Sequence, residues 1–199
     1  MRAGFTLVML VYPFVVYGGL SVLTPRWLAV ALSGALLARA LTCGATPRSG
    51  AVLTPIALIG VVMTLAAISN DGRFFLFVPV FVNAALLVSF AWTQVAGASI
   101  VEALARRQRG ALTAEDVRYC RRVTGVWCVF FIVNGGVTLW LALRGPLEAW
   151  TFYTGGVSYL LVGALFVVEL TYRSWRFRRY EGAVTDVVFR RLFPPKPVS

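Results

Sequence analysis

The stretch Gly125-Val-Trp-Cys-Val-Phe-Phe-Ile-Val-Asn-Gly-Gly-Val-Thr-Leu-Trp-Leu-Ala-Leu143 decides the fold class, because its 19 residues carry no charge. Arg121 and Arg122 lie shortly before it, and Arg144 follows it directly. A helix of about 20 mostly apolar residues is long enough to cross the hydrocarbon core of a bilayer. The stretch therefore predicts a transmembrane helix with basic residues near both ends.

Five other stretches have a similar apolar content, although the second is short for a span. Turn-forming segments such as Asn70-Asp71-Gly72-Arg73 and Arg144-Gly145-Pro146 separate them. The first is longer than the apolar region of a signal peptide, so we expect it to be retained. We predict an all-α polytopic membrane protein with six transmembrane helices, at about residues 4–23, 27–42, 51–69, 74–95, 125–143 and 150–172. A basic tail, 173–199, follows this domain.

The composition excludes several other classes of protein. Of the 199 residues, 59% are apolar and 14% are charged, whereas an average soluble domain has about 25% charged residues. Too few polar side chains remain to cover a soluble monomer, and the apolar excess argues against disorder. A net charge of +11 is common in nucleic-acid binding proteins. Basic cytoplasmic loops explain this charge better, so we expect no nucleic-acid partner.

The basic residues are distributed unevenly along the predicted spans. With the N-terminus in the cytoplasm, 15 of the 19 Lys and Arg residues lie on the cytoplasmic side. The opposite side has only Arg26, Arg73 and Arg144. The positive-inside rule therefore predicts that both termini lie in the cytoplasm, in a bacterial inner membrane. Five or seven spans would place one of the two basic blocks on the wrong side.

Two polar segments are predicted on the cytoplasmic side. Loop 96–124 is predicted as two short amphipathic helices separated by Gly110. Ser99 and Glu102 have the spacing of a capping box, and a second helix start is predicted at Thr113, with acidic residues in its first turn. The tail has the pattern of a basic amphipathic helix that lies on the inner leaflet.

The basic residues of these segments have two possible roles. They set the topology and bind anionic headgroups of the bilayer, at about 1 kcal/mol each. Alternatively, they form a docking surface for an acidic partner, such as an acyl carrier protein or another membrane biosynthetic protein. The candidate docking residues are Arg106, Arg107, Arg118, Arg121, Arg122, Arg176, Arg178 and Arg179.

Arg39 and Glu169 are the ionisable residues inside the predicted spans, and such residues are functional candidates. Both lie near the cytoplasmic ends of their helices. There, Arg39 can extend to the headgroups and Glu169 can reach water or Arg173. The alternative is an intramembrane pair between Arg39 and Glu169 that closes a polar cavity.

Polar and small residues also cluster at the mid-depth of the predicted spans. They indicate either close helix packing or a polar cavity for a lipid or substrate. The candidate cavity residues are Tyr12, Tyr17, Asn83, Asn134, Tyr153 and Tyr159. The pattern L-x-x-P-x-x-V-x-small-small-L starts at both Leu10 and Leu76. A pattern repeated in two antiparallel helices is what the inverted repeat of a transporter would require.

The sequence offers little catalytic chemistry. It has no histidine, and its three cysteines, Cys43, Cys120 and Cys128, form no CxxC pair. It also has no GxSxG, HExxH or P-loop motif. We therefore expect no catalytic residue, no cofactor and no metal site.

Residues 117–135, Val-Arg-Tyr-Cys-Arg-Arg-Val-Thr-Gly-Val-Trp-Cys-Val-Phe-Phe-Ile-Val-Asn-Gly, are similar to a family of uncharacterised proteobacterial inner-membrane proteins. That family is encoded in aryl-polyene (xanthomonadin-type) pigment clusters, beside acyl carrier proteins, acyltransferases and exporters. Tyr12-Pro13, Pro25-Arg26 and Leu147-Glu148-Ala149-Trp150 support the resemblance. The block also resembles, more distantly, intracellular septation protein A, from which the long polar loop and the basic tail depart.

The resemblance implies a cellular context rather than a mechanism. Our leading hypothesis is an accessory protein or scaffold for aryl-polyene or lipid-type assembly, or for envelope maintenance. One alternative is a small transporter or flippase for a lipid-like substrate. Another is an envelope factor like septation protein A.

Overall fold

The computed structural model describes the backbone of residues 2–42, 50–178, 189, 191, 192 and 194. Among these residues, it describes the side chains of 11–34, of 60–107 and of every residue from 110 onward. Within this part of the chain, every regular element is a helix. They are α1 (Arg2–Val22), α2 (Pro25–Thr42), α3 (Gly50–Ser69), α4 (Arg73–Leu76), α5 (Val78–Val95), α6 (Ile100–Arg109), α7 (Ala114–Arg144), α8 (Leu147–Phe152), a π-helical turn (Tyr153–Val157) and α9 (Ser158–Phe177). The chain divides into two compact units, 1–156 and 157–199.

Three helical stretches in the described part are long and apolar enough to cross a membrane. They are Arg73–Val95, Ala114–Arg144 and Leu147–Phe177. Shorter apolar helical stretches are Val11–Val22 and Gly60–Ser69. The uncharged part of α7, 123–143, is about 30 Å long at the helical rise of 1.5 Å per residue. This length equals the thickness of the hydrocarbon core, so the chain is a helical membrane protein.

The structure differs from the prediction in the polar loop. α6 is a short helix, as expected, and Gly110 ends it with a positive φ of 74°. The second predicted helix is not separate, because α7 continues from Ala114 through the polar residues into the span without a break. A single 31-residue helix therefore joins the polar residues 114–122 to the uncharged stretch 123–143.

The predicted fourth span is also interrupted. The chain forms α4, passes through a turn at Phe77, and resumes as α5 with Pro79 in its first turn. The predicted sixth span begins earlier than expected, at α8, and includes a π-helical turn. Proline explains the first interruption, since it cannot donate the backbone hydrogen bond that would join the two helices.

Three turns of the first unit meet at one end of the helices. The Arg26 backbone N–H donates to Asn70 Oδ1 (3.1 Å), and Arg26 Nε donates to the Ala67 carbonyl (3.1 Å). Residues of the α7–α8 turn line a pocket together with Pro25 and residues 71–73. We call this end the turn end. The opposite end of α5 and α7, which carries α6, is the hairpin end.

The buried apolar core of the first unit lies toward the turn end. Within the first unit, α5 and α7 have the most extensive contact of any two helices, followed by α2 and α3. Trp150 and Phe75 are its largest fully buried side chains. The core comprises Val16, Leu28, Ala29, Val62, Met63, Ala66, Phe75, Leu76, Val78, Leu141, Ala142 and Trp150.

Four of the six tryptophans are between 51% and 70% exposed, and each lies within four residues of a helix end. They are Trp27, Trp92, Trp140 and Trp175. Tryptophan is enriched at both interfaces of a membrane, where its apolar ring and polar N–H are both accommodated. Their exposure near helix ends therefore agrees with a membrane protein.

Candidate functional site

A chain of polar side chains crosses the middle of the α5–α7 pair. The Tyr153 hydroxyl donates to Asn134 Oδ1 (2.9 Å), and Asn134 Nδ2 donates to Asn83 Oδ1 (3.0 Å). Asn83 Nδ2 in turn donates to the Pro79 carbonyl of its own helix (2.8 Å). Asn134 lies near the centre of the uncharged stretch 123–143, so this chain of hydrogen bonds lies about halfway along the apolar part of α7.

Gly135 allows the two asparagines to approach. A Cβ at Gly135 would lie 3.1 Å from Asn83 Cβ, an atom that is fixed to the backbone of α5. Any larger side chain would therefore push α5 and α7 apart. This is the role of small residues in membrane helix pairs, where close packing replaces the hydrophobic effect.

The hydrogen bonds of the two asparagines are made to protein groups. Asn83 is 8% exposed and Asn134 is 4% exposed. The Thr138 hydroxyl also donates to the Asn134 carbonyl, at 2.7 Å. Buried amides that bond one another link helices together, whereas amides lining a hydrated cavity bond water. The geometry therefore favours packing over a polar cavity at this depth.

A second polar arrangement surrounds the interruption at Phe77. Because Pro79 has no N–H, the Phe75 carbonyl lacks its usual helical donor. The Tyr12 hydroxyl donates to this carbonyl at 2.9 Å. The indole N–H of Trp150 donates to the adjacent Leu76 carbonyl at 3.2 Å. Side chains from α1 and α8 thus satisfy backbone groups of the broken span, which in a bilayer must be satisfied within the protein.

The remaining candidates for a polar cavity are Tyr17 and Tyr159. Tyr17 lies on the surface of α1 and is exposed. Tyr159 belongs to the second unit, on α9. The structure thus brings together Asn83, Asn134 and Tyr153, and places Tyr12 at the interruption.

The predicted Arg39–Glu169 pair stays a prediction. The Arg39 side chain lies outside the described residues. Glu169 Oε1 lies 3.8 Å from Nε of Arg173, one turn along α9. This contact is the local one that the sequence offered as an alternative to the intramembrane pair.

The loop at the hairpin end is built from two helix caps, both at predicted positions. Ser99 Oγ accepts a hydrogen bond from the Glu102 backbone N–H (3.2 Å), which confirms the first predicted helix start. Thr113 and Asp116 form a complete capping box, which confirms the second. Glu102 is buried, and its Oε1 accepts from Nε and Nη2 of Arg106 at 3.0 and 2.7 Å. Its Oε2 finds no partner among the described residues.

The hairpin-end arginines fall into two groups. Arg106 and Arg121 are engaged within the protein: Arg106 binds Glu102 of its own helix, and Nη2 of Arg121 donates to the Gly97 carbonyl (3.1 Å). Arg107, Arg118 and Arg122 are exposed. Arg118 and Arg122 are one turn apart on the same face of α7. They are therefore the part of the predicted docking surface in which the side chains have a regular helical spacing.

The tail arginines are described only in part. Arg176 is exposed near the end of α9. Arg178 ends that helix with a left-handed backbone, at φ 49°. Arg179 lies outside the described residues. The docking role of the tail therefore stays a prediction.

The described cysteines do not form a cluster with other metal-ligating residues. Cys120 is buried and Cys128 is partly buried, while Cys43 lies outside the described part. In the part of the chain that the structure describes, no group of three or more His, Cys, Asp or Glu side chains lies close enough to hold a metal ion.

Sequence reasoning missed Trp150 and Thr138, which bond to the two polar arrangements. For Trp150 the sequence carries no direct signal, since its N–H donates to the Leu76 carbonyl. Pro79 predicts an unpaired carbonyl four residues earlier, at Phe75, and Tyr12 donates to that one. Such a carbonyl needs a donor, and Trp and Tyr are the donors that an apolar core accommodates best. Which tyrosine or tryptophan supplies it depends on the tertiary structure.

Comparisons with protein-family models, with curated proteins and with solved structures return no match for this chain.

Proposed function

We propose that this chain is a six-span protein of the bacterial inner membrane that serves as a scaffold for lipid-type or aryl-polyene assembly. In this proposal both termini lie in the cytoplasm. The exposed arginines of the hairpin end hold an acidic soluble partner there, of which an acyl carrier protein is our candidate. The chain itself supplies a rigid membrane anchor rather than a reaction.

The turn end supports six spans. The turns after α1, α3 and α7 meet there, as expected if the chain crosses the membrane in alternating directions. The basic residues of these turns are Arg26, Arg73 and Arg144, against six arginines between 96 and 124. The positive-inside rule then favours a cytoplasmic hairpin end and a turn end on the far side.

Reporter fusions test this topology. Alkaline phosphatase is active only outside the cytoplasm, so fusions ending at Asp71 and Gly145 are expected to be active. Green fluorescent protein fused after Leu112 or Ser199 is expected to fluoresce, because it folds in the cytoplasm. Phosphatase activity from a fusion at Leu112 or Ser199 would contradict the proposed topology.

The continuity of α7 carries the docking proposal. Arg118 and Arg122 stand on a helix that is fixed in the membrane by its 21 uncharged residues, 123–143. Arg121 holds the neighbouring loop against this helix, since its Nη2 donates to the Gly97 carbonyl and its own carbonyl accepts from Gln94 Nε2. A continuous helix fixes the spacing of the two side chains before binding, which favours recognition of carboxylates on an acidic partner.

The closed asparagine pair favours a scaffold over a transporter. A transporter needs a polar path near the mid-depth of the membrane, and substrate sites there are formed by broken helices. The broken span of this chain has Tyr12 and Trp150 on its two carbonyls, and its asparagine faces another asparagine. These contacts occupy the groups that a substrate would need.

Binding of a carrier protein to the full-length chain in nanodiscs of neutral lipid tests the docking proposal. We expect Arg118→Gln/Arg122→Gln to weaken binding by about tenfold, since each exposed charge contact is worth up to about 1 kcal/mol. Binding should also weaken as the salt concentration rises. Biolayer interferometry with the carrier protein of an aryl-polyene cluster measures both effects.

The matched control is Arg73→Gln/Arg144→Gln, which removes the same charge at the turn end. It should bind the carrier protein as the unchanged chain does. Equal affinities of the two double variants would overturn the docking surface, and so would a parent chain that does not bind.

A further inference from the structure

A pocket of about 430 Å³ opens at the turn end of the first unit. Its size lies within the range of small-molecule sites, about 300 to 1,000 Å³. Its charged lining consists of Arg73, Arg144 and Asp71, and its apolar lining includes Leu20, Leu76 and Leu143. The proposed cytoplasmic docking surface uses none of these residues.

The charged residues place the pocket at a membrane interface. Arg73 directly precedes the uncharged residues of α4 and α5, and Arg144 directly follows the uncharged stretch 123–143 of α7. Both guanidinium groups therefore lie at the boundary of the hydrocarbon core, at the depth of lipid phosphates. The exposed Trp140, one turn before Arg144, agrees with this depth.

The charge of the pocket is unbalanced. Two arginines and one aspartate line it. Asp71 Oδ1 accepts the backbone N–H of Arg73 (2.9 Å), so this oxygen is already engaged in the turn. Arginine binds phosphate through paired N–H donors, and two arginines on one concave surface match a phosphodiester.

Two glycines fix the walls of the pocket. A Cβ at Gly72 would lie 2.6 Å from Leu20 Cδ2, so the turn packs directly on that side chain. A Cβ at Gly145 would lie 2.9 Å from the backbone oxygen of Leu141, which no side-chain movement relieves. Tight turns therefore form two walls of the pocket, and the side chains of Arg73, Arg144 and the leucines complete it.

We propose that this pocket binds the headgroup of an anionic phospholipid, such as phosphatidylglycerol, from the leaflet at the turn end. The phosphodiester lies between Arg73 and Arg144, and the glycerol and upper acyl carbons contact Leu20, Leu76 and Leu143. A free phosphate would use the arginines alone and leave the apolar lining without a partner. The lipid uses both surfaces.

Native mass spectrometry of the purified full-length chain tests this site. The chain is titrated with phosphatidylglycerol or with phosphatidylcholine, and the fraction that retains one lipid is measured. We expect phosphatidylglycerol to be retained at least tenfold better. Arg73→Gln/Arg144→Gln should remove most of this preference, because two charges near the surface are lost. Both side chains are exposed, so the variant should fold.

Arg118→Gln/Arg122→Gln is the matched control, with the same loss of charge at the hairpin end, and it should keep the first phosphatidylglycerol. Retention of the first lipid by Arg73→Gln/Arg144→Gln would overturn the site. Displacement of the lipid by millimolar inorganic phosphate would show a free-anion site and overturn the lipid assignment. Neither result bears on carrier-protein docking.

Discussion

Replacing Trp150 with alanine is expected to lower the free energy of unfolding by about 3–5 kcal/mol, the range for large aromatic residues in packed cores. Trp150 is 0% exposed and lies in the core with Phe75 and Leu76. Its indole N–H also donates to the Leu76 carbonyl beside the interrupted span. The change therefore leaves a cavity and removes a donor in a medium where water cannot replace it. Unfolding by denaturant or by steric trapping in bicelles measures the loss.

Two further variants separate these causes. Trp150→Phe keeps most of the packing and loses the N–H, so we expect about 1–2 kcal/mol. Trp140→Ala removes the same side chain from an exposed position and should cost less than about 1 kcal/mol. A Trp150→Ala protein as stable as the Trp140→Ala protein would show that Trp150 does not support the interruption.

The local features of this fold could be predicted from the sequence because they depend on short spacings. Ser99 and Thr113 each accept the backbone N–H three residues further on, so both helices start where the sequence predicted, although the Glu102 side chain binds Arg106 instead of completing a capping box. The uncharged stretch after Arg122 likewise indicated a membrane helix, since its length alone matches the bilayer. Capping and length are properties of a few neighbouring residues.

The continuity of α7 could not be predicted from composition. The change from charged to apolar residues near Arg122 and Val123 resembles the boundary between two elements. However, 123–125 contains neither proline nor a turn motif, and one glycine is tolerated in a helix. The helix continues because no residue at this point ends it, and the change from charged to apolar residues lies within the helix.

The candidate site was predicted by residue type, which cannot distinguish the faces of a helix. Asn83 and Asn134 face one another, but Tyr17 lies on the exposed side of α1. In membrane spans both faces are apolar, so the pattern that reveals a buried face in soluble helices is weak. Only the packing of α5 on α7 identifies the residues that meet.

The asparagine pair gives the second large expected effect. Asn134→Leu should lower the free energy of unfolding by about 2–3 kcal/mol. It leaves the Tyr153 hydroxyl and Asn83 Oδ1 without their partner at mid-membrane. An unpaired buried group costs about 1–3 kcal/mol, although membrane hydrogen bonds often measure below 1 kcal/mol because partners rearrange. Ser89→Leu is the control, because Ser89 is exposed and bonds only to its own helix, at the Ala85 carbonyl.

A double-mutant cycle decides whether the two asparagines act as a pair. If they do, Asn83→Leu/Asn134→Leu should cost less than the sum of the single variants by about 1 kcal/mol, because removing both partners leaves fewer groups unpaired. Additive losses would mean that each asparagine is stabilised separately. They would also reopen the polar-cavity alternative, since amides that bond water rather than one another lose their partners independently. A coupled loss supports a closed helix contact, which is what a rigid membrane anchor requires.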